Sequence, residues 1–479
     1  MHRVKQIQKF IPPTSMEQLN ENKLSTPKWF ALTGLALLVL GMLFGVVGAL
    51  QYVVPGFSKT YLSFEKIRPL HVSSVVFWIL FAAMGSTLIY LKEHFGEIYS
   101  KTLTKIQLGV FLIAIILILG CYFFGFFGGR EYWEFPPILA ILIMLGWLLF
   151  AINVVKTAKS MVKQPVYVWM WITGAIGFLI TFSESYLWIF PYFQRDIVRD
   201  MTVQWKSYGS MVGCWNMLVY GASIFLMEKI NKDKSYAYSK IAFALFFLGL
   251  FNLLFNWSHH IYTLPVASPI KHVGYLVSMT ELFILGRIIY KWKGTVTQAQ
   301  KFNHLIPYRF LLAADLWIFL NLFLAILMSI PAINVNTHGT HITVAHAMGT
   351  TIGINTMILM AICFDVFEDR CQNLSVFKRQ IAIGYSLLNG SLMFFFIALI
   401  AAGIQRSQWQ MSEGKTPFSQ MMKSLTPYFI IFLIAGGLIF IGFCLVIHPL
   451  IASLMKSYLR STVTGRKKVE IVLYHDHDK

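Results

Sequence analysis

The chain has 479 residues, of which 57% are hydrophobic and only 13% charged, with a mean hydropathy of +0.63. A water-soluble fold of this length has no use for so much apolar surface, so the lipid bilayer is the expected medium. The formal net charge of +19 does not indicate nucleic acid, because it is divided by side. With the N-terminus placed in the cytoplasm, most of the 40 Lys and Arg residues fall on the cytoplasmic side of the predicted spans, as the positive-inside rule requires.

In chain order, residues 1–28 are expected to form a polar cytoplasmic tail. They contain Pro12 and Pro13 and lack the apolar core of a cleaved leader. A helix needs roughly 20 apolar residues to cross a bilayer. Such runs lie at about 29–54, 70–91, 104–128, 136–156, 166–190, 207–228, 238–262, 268–290, 305–331, 341–367, 379–404 and 425–455. The expected fold is an all-α, polytopic membrane bundle of about 12 transmembrane helices over residues 29–455, with both termini cytoplasmic. Residues 456–479 form a basic cytoplasmic tail whose Arg466, Lys467 and Lys468 suit a solvated face near anionic lipid. The longer outer connections, 55–69, 191–206 and 405–424, read as ordinary solvated loops. A bundle of this kind is also the plan of many secondary transporters, so topology leaves function open.

Cys121, Cys214, Cys363, Cys371 and Cys444 show no metal-knuckle spacing and read as packing residues. The sequence has no C-x-x-C-H for a covalently attached haem, no P-loop and no Gly-rich dinucleotide turn.

The histidines carry more. His71, His259, His260, His272, His338, His341 and His346 lie in or beside spans, and the predicted directions bring His71, the His259/His260 pair and His346 to one depth near the outer side. A single such imidazole reads most simply as a hydrogen-bonded core residue. Convergence from several helices points to cofactor ligation, because polar groups in lipid are costly and rarely idle. Residues two apart on a helix point about 200° away from each other, so His346 and Met348 would face opposite flanks of one helix and could serve two cofactors. Met is a haem axial ligand as well as a packing residue. His259 and His260, about 100° apart on a regular helix, could clasp one metal ion from a frayed helix end before Pro265.

These residues resemble the haem-copper oxidase superfamily, and within it the large subunit of nitric oxide reductase, with the C-family (cytochrome cbb-type) oxidases as relatives. The resemblance spans about 64–366 and rests on RPLHVSS around His71, on the His259/His260 pair, and on THG (337–339) followed by His346. It implies that His71 ligates a low-spin haem, that His259 and His260 bind a non-haem metal, and that His346 is the proximal ligand of a high-spin haem, with His338 beside the cofactors. The segment GREYWEFP, 129–136, resembles one whose acid binds calcium between haem propionates, which implicates Glu131 or Glu134. Glu281, 21 residues after His260, stands at the separation where nitric oxide reductases carry a buried glutamate near the metal.

Two positions depart from the family. The sixth span has no histidine, and alignment through Trp205, Gly213, Trp215 and Lys229 puts Tyr208 at the histidine position and Val212 at a glutamate position. Tyr208 is either a phenolate ligand or a hydrogen-bonding neighbour of the metal. Met348 stands where the family has the second axial histidine of the low-spin haem.

The resemblance therefore implies a nitric-oxide-reductase-like catalytic subunit in the inner membrane, carrying two b-type haems, a non-haem iron (or copper) and calcium. A separate donor on the outer face, a c-type cytochrome or a cupredoxin, would supply its electrons. A terminal oxygen reductase is the near alternative, and a non-catalytic haem sensor or carrier is the alternative of a different class.

Overall fold

A computed structural model of the chain describes residues 24–280, 305–368 and 374–475, the last 18 of these by backbone alone. Among the described residues the fold is all-helical, with eleven helices long and apolar enough to cross a membrane. They are α1 (Thr26–Val53), α2 (Phe64–Phe95), α3 (Lys101–Phe124), α4 (Ala140–Ala158), α5 (Val166–Glu184), α6 (Ile197–Asn231), α7 (Lys240–Phe255), α9 (Leu305–Ser329), α10 (341–366), α11 (Lys378–Met411) and α12 (Thr426–His475). The eighth expected span appears as helix over 268–280, here α8, and its remainder lies outside the described residues. The expectation of about twelve spans and the observed eleven differ at that segment.

Several boundaries move, each for a local reason. Residues 191–206, expected as a loop, are mostly helical, because Asp196 caps α6 by accepting from the backbone N–H groups of Val198 (2.9 Å) and Arg199 (3.1 Å). An N-cap carboxylate satisfies amides that would otherwise lack partners, so the helix starts well before the apolar run. Residues 405–424 likewise contain the end of α11 and a short helix, Phe418–Ser424. α2 starts at Phe64 and tolerates Pro69 near its first turns. α3 is framed by Ser100, whose hydroxyl accepts from Leu103 N–H at 3.2 Å, and by Gly125 in the left-handed region at φ 81°.

The core is one large apolar body in which α2 and α10 are the most buried spans, with a small separate cluster of Ala402, Met421, Leu425 and Phe429. α10 is not a uniform helix. His341–Met348 is α-helical, Gly349–Thr356 has π winding, and Met357–Val366 is α-helical again. Such π turns are rare and recur at functional sites. At the end of the bundle away from the histidines, Lys229 of α6 pairs with the buried Asp365 of α10 at 2.8 Å and with Glu93 of α2 at 3.2 Å. The Tyr90 hydroxyl donates to the same Asp365 oxygen at 2.9 Å. Unpaired charges in lipid are expensive, so this cluster fixes the three helices against one another.

Candidate functional site

His71 projects from α2 toward α1, and its Nδ1 lies 2.7 Å from the Gly41 carbonyl. A carbonyl can only accept, so Nδ1–H donates to it and the lone pair is left on Nε2. The ring fits because α1 has no side chain at Gly45, where a Cβ would stand 2.8 Å from both Nδ1 and Cε1 of His71. His71 lines a cavity of about 520 Å³ that is also lined by Tyr208, His259, His260, His346 and Met348. Down α6 the cavity-lining positions run from Trp205 to Met227, roughly 33 Å at 1.5 Å per residue. One cavity therefore joins the histidine end of the bundle to its opposite side.

His259 and His260 sit on a 3₁₀ turn, Asn256–Ile261, that continues α7 in place of the expected frayed α-helical end. Their ring centroids are 4.2 Å apart. α6 draws this turn close. The Ser210 hydroxyl donates to the Leu253 carbonyl at 2.6 Å, and a Cβ at Gly209 would fall 2.8 Å from that of Trp257. Asn334, on a short helix Pro331–Thr337 before α10, donates to the His259 carbonyl at 3.2 Å. Trp205 of α6 stacks on His260 with centroids 4.9 Å apart and planes 11° from parallel. His338 stands edge-on to both, 6.2 Å from His260 and 6.1 Å from Trp205, and burial pushes its imidazole below the usual pKa, toward the neutral form.

Tyr208 is buried and lies at the cavity edge against Tyr132, centroids 5.7 Å apart. Tyr132 sits at φ 70° in a tight turn closed by Trp133 N–H donating to the Arg130 carbonyl at 2.8 Å. A bulky residue at positive φ is strained and is held by its surroundings. The turn delivers Glu131 and Glu134 to opposite arms of the Arg68 guanidinium, at 2.6 and 2.8 Å. Burial raises the Glu134 carboxyl while its own backbone contact and Arg68 pull it down. A calcium ion here would have to share both carboxylates with Arg68.

His346 and Met348 both border the cavity, whereas His341 is turned to Phe429 of α12, with ring centroids 5.2 Å apart. His272 of α8 lies 3.2 Å from the Ser268 hydroxyl. Glu281 lies outside the described residues. The structure thus brings His71, His259, His260, His346, Met348 and Tyr208 around one space and keeps Glu131 and Glu134 with Arg68. Arg68, Gly45 and Asn334 did not announce themselves in the sequence, and Trp205 did so only as a point of alignment with the family. Only the R-P-L-H spacing of Arg68 and His71, one turn apart, could have signalled the first.

The chain matches the family model described as cytochrome c and quinol oxidase polypeptide I over residues 26–461. The chain belongs to that family. It is therefore an oxidoreductase subunit and a multi-pass membrane protein of the haem-copper oxidase class. The B subunit of nitric oxide reductase from Stutzerimonas stutzeri is 24% identical over 453 residues, covering 87% of this chain and 92% of that protein. The cbb3-type cytochrome c oxidase subunit CcoN1 of the same organism is 22% identical over 448 residues, covering 86% and 91%. A solved heme-copper terminal oxidase dimer superposes with a TM-score of 0.71 at 14% identity, covering 90% of this chain and 84% of its own, a likeness of fold.

The family implies haem and a non-haem metal centre. The donors present fit haem, because His71 has Nδ1 engaged and Nε2 available beside the cavity that His346 also borders. For the metal, His259 and His260 supply a neighbouring pair of imidazoles. Among the described residues no three His, Cys, Asp or Glu side chains already stand as a metal cluster.

Proposed function

We propose that this subunit reduces nitric oxide, joining two molecules into nitrous oxide and water with two electrons and two protons. The observation that carries the reading is that α6 has no histidine and carries a tyrosine, Tyr208, on the cavity that His259 and His260 also line. In the oxidases of the superfamily the histidine of that helix bears the cross-linked tyrosine, so its loss weighs more against oxygen reduction than against coupling of nitric oxide.

In this reading His71 and Met348 hold a low-spin b-type haem, His346 holds a high-spin b-type haem, and His259 with His260 holds a non-haem iron. Mixed nitrogen and oxygen ligation suits iron better than copper(I). The haems supply electron transfer and binding of the gas. The chain supplies orientation: Gly41 fixes the His71 tautomer, Trp205 fixes the plane of His260, and Asn334 ties down the turn that carries the pair. Glu281 delivers protons or completes the metal's ligands. Glu131 or Glu134 binds calcium in competition with Arg68. Electrons come from a c-type cytochrome or a cupredoxin on the outer face, and the protein sits in the inner membrane with both termini cytoplasmic.

Anaerobic turnover of the purified protein with an artificial reductant tests the reading. Nitrous oxide formed from nitric oxide, at a rate well above oxygen uptake under air, is expected. Brisk oxygen reduction without nitrous oxide formation would make the chain a terminal oxygen reductase, and haem without either turnover would make it a sensor or carrier.

A further inference from the structure

Asn321, midway along α9, is 1% exposed and faces α10 beside His346. The two ends of its amide stand between two sets of groups. On one side are the His346 carbonyl at 3.0 Å and His346 Nδ1 at 3.3 Å; on the other are Thr350 Oγ1 at 2.7 Å and the Thr350 backbone nitrogen at 3.2 Å. The close approach depends on Gly349, where a Cβ would lie 2.3 Å from the Asn321 Oδ1 position. It also falls where α10 passes into π winding at Gly349.

An amide has one accepting and one donating end, so its orientation decides where the imidazole proton resides. With Nδ2 toward His346, the amide donates to the carbonyl and to Nδ1, which then bears the lone pair and puts the ring proton on Nε2. With Oδ1 toward His346, Nδ1–H donates to it and Nε2 is left with a lone pair for a metal. The second arrangement closes a directed ring of bonds. His346 Nδ1–H donates to Asn321 Oδ1, Asn321 Nδ2 donates to Thr350 Oγ1 at 2.7 Å, and the Thr350 hydroxyl donates to the His346 carbonyl at 3.2 Å. The second arrangement sets Oδ1 against the His346 carbonyl at 3.0 Å and Nδ2 against the Thr350 backbone N–H at 3.2 Å, and the first relieves both.

We propose that Asn321 is the positioning residue of His346: its amide, with Oδ1 toward Nδ1, selects the imidazole tautomer that binds haem iron through Nε2. The proposal rests on the reading of His346 as a haem ligand and adds to it the group that sets the strength of that ligation. Partners of this kind orient a ligand imidazole and raise its basicity, and their loss typically costs about 10- to 100-fold in affinity.

The test uses the full-length, haem-loaded protein, reading the iron–histidine stretching band of the reduced high-spin haem by resonance Raman and the rate of haem loss to a scavenger protein. Asn321→Leu keeps the bulk but cannot bond Nδ1; a lowered stretching frequency and roughly 10- to 100-fold faster haem loss are expected. Asn321→Asp presents only acceptors, so its band is expected above that of the parent. A Leu variant with the parent's band and loss rate overturns the proposal. If the Leu variant does not fold, an Asp variant whose band is unchanged or lowered overturns it instead. A parent protein without any iron–histidine band contradicts the reading of His346 itself, and the proposal falls with it.

Discussion

Trp205 lies flat on His260, with centroids 4.9 Å apart and planes only 11° from parallel. α6 therefore contributes an aromatic wall to the histidine pair three residues before Tyr208, the position where the family resemblance led to the expectation of an imidazole. A stacked indole leaves the ring nitrogens of His260 accessible while restricting rotation of the ring. Replacing Trp205 with Leu is expected to weaken non-haem metal binding by roughly 10- to 100-fold, with Trp205→Phe intermediate. Titration of metal-depleted protein with ferrous iron measures this, and a Leu variant with the parent's affinity would leave the stacking without consequence.

Gly45 makes room for His71. A methyl group there would stand 2.8 Å from two atoms of the imidazole, and overpacking of this kind costs about 1–3 kcal/mol. Gly45→Ala is expected to reduce low-spin haem content or to split its spectrum, while the high-spin haem is unaffected. The visible spectrum of the reduced protein reports both, and an unaltered low-spin band would show that α1 yields without disturbing the ligand.

How much of this was legible beforehand varies with the physics. The spans and the histidines follow from local composition and from direction along the chain, and the family motifs around His71, His259, His260 and His346 lie within short stretches. The early start of α6 depends on one capping bond from Asp196, which an apolar-run criterion does not weigh. The π winding of α10 depends on Gly349 and Gly353 fitting against Asn321 and Trp317 of another helix. The pairing of Arg68 with Glu131 and Glu134 joins residues more than 60 positions apart. Such contacts are tertiary and leave no period in the sequence.

Arg68 holds two carboxylates, one of them largely buried. Removing the guanidinium with Arg68→Ala is expected to cost about 1–3 kcal/mol near neutral pH, discounted for the partial exposure of Arg68 and Glu131. The sign of the pH dependence follows from Glu134, whose carboxyl burial already raises. Without Arg68 it rises further, and a carboxyl whose folded pKa exceeds its unfolded one stabilises the protein on protonation. The deficit of the variant should therefore shrink as pH falls from about 8 to about 5. Thermal midpoints in detergent across that range measure it, and a deficit that grows toward acid pH would contradict the arrangement.

Met348 borders the cavity two residues from His346, on the opposite flank of an α-helical turn. In the proposed role of second ligand to the low-spin haem, its sulfur would favour the ferrous state. The oxidised protein should show a sulfur-to-iron charge-transfer band in the near infrared, which Met348→His removes while lowering the midpoint potential. A variant with unchanged spectrum and potential would reduce Met348 to packing. His341 would not replace it without rotation, since its ring rests on Phe429.

The division of labour among the histidines is tested most directly by metal and haem analysis of the parent protein beside a His259→Ala/His260→Ala variant. The account predicts two b-type haems plus one non-haem iron in the parent. In the variant it predicts both haems retained, the non-haem iron lost and nitric oxide turnover abolished. Loss of the high-spin haem along with the metal, or retention of the metal without either imidazole, would contradict it.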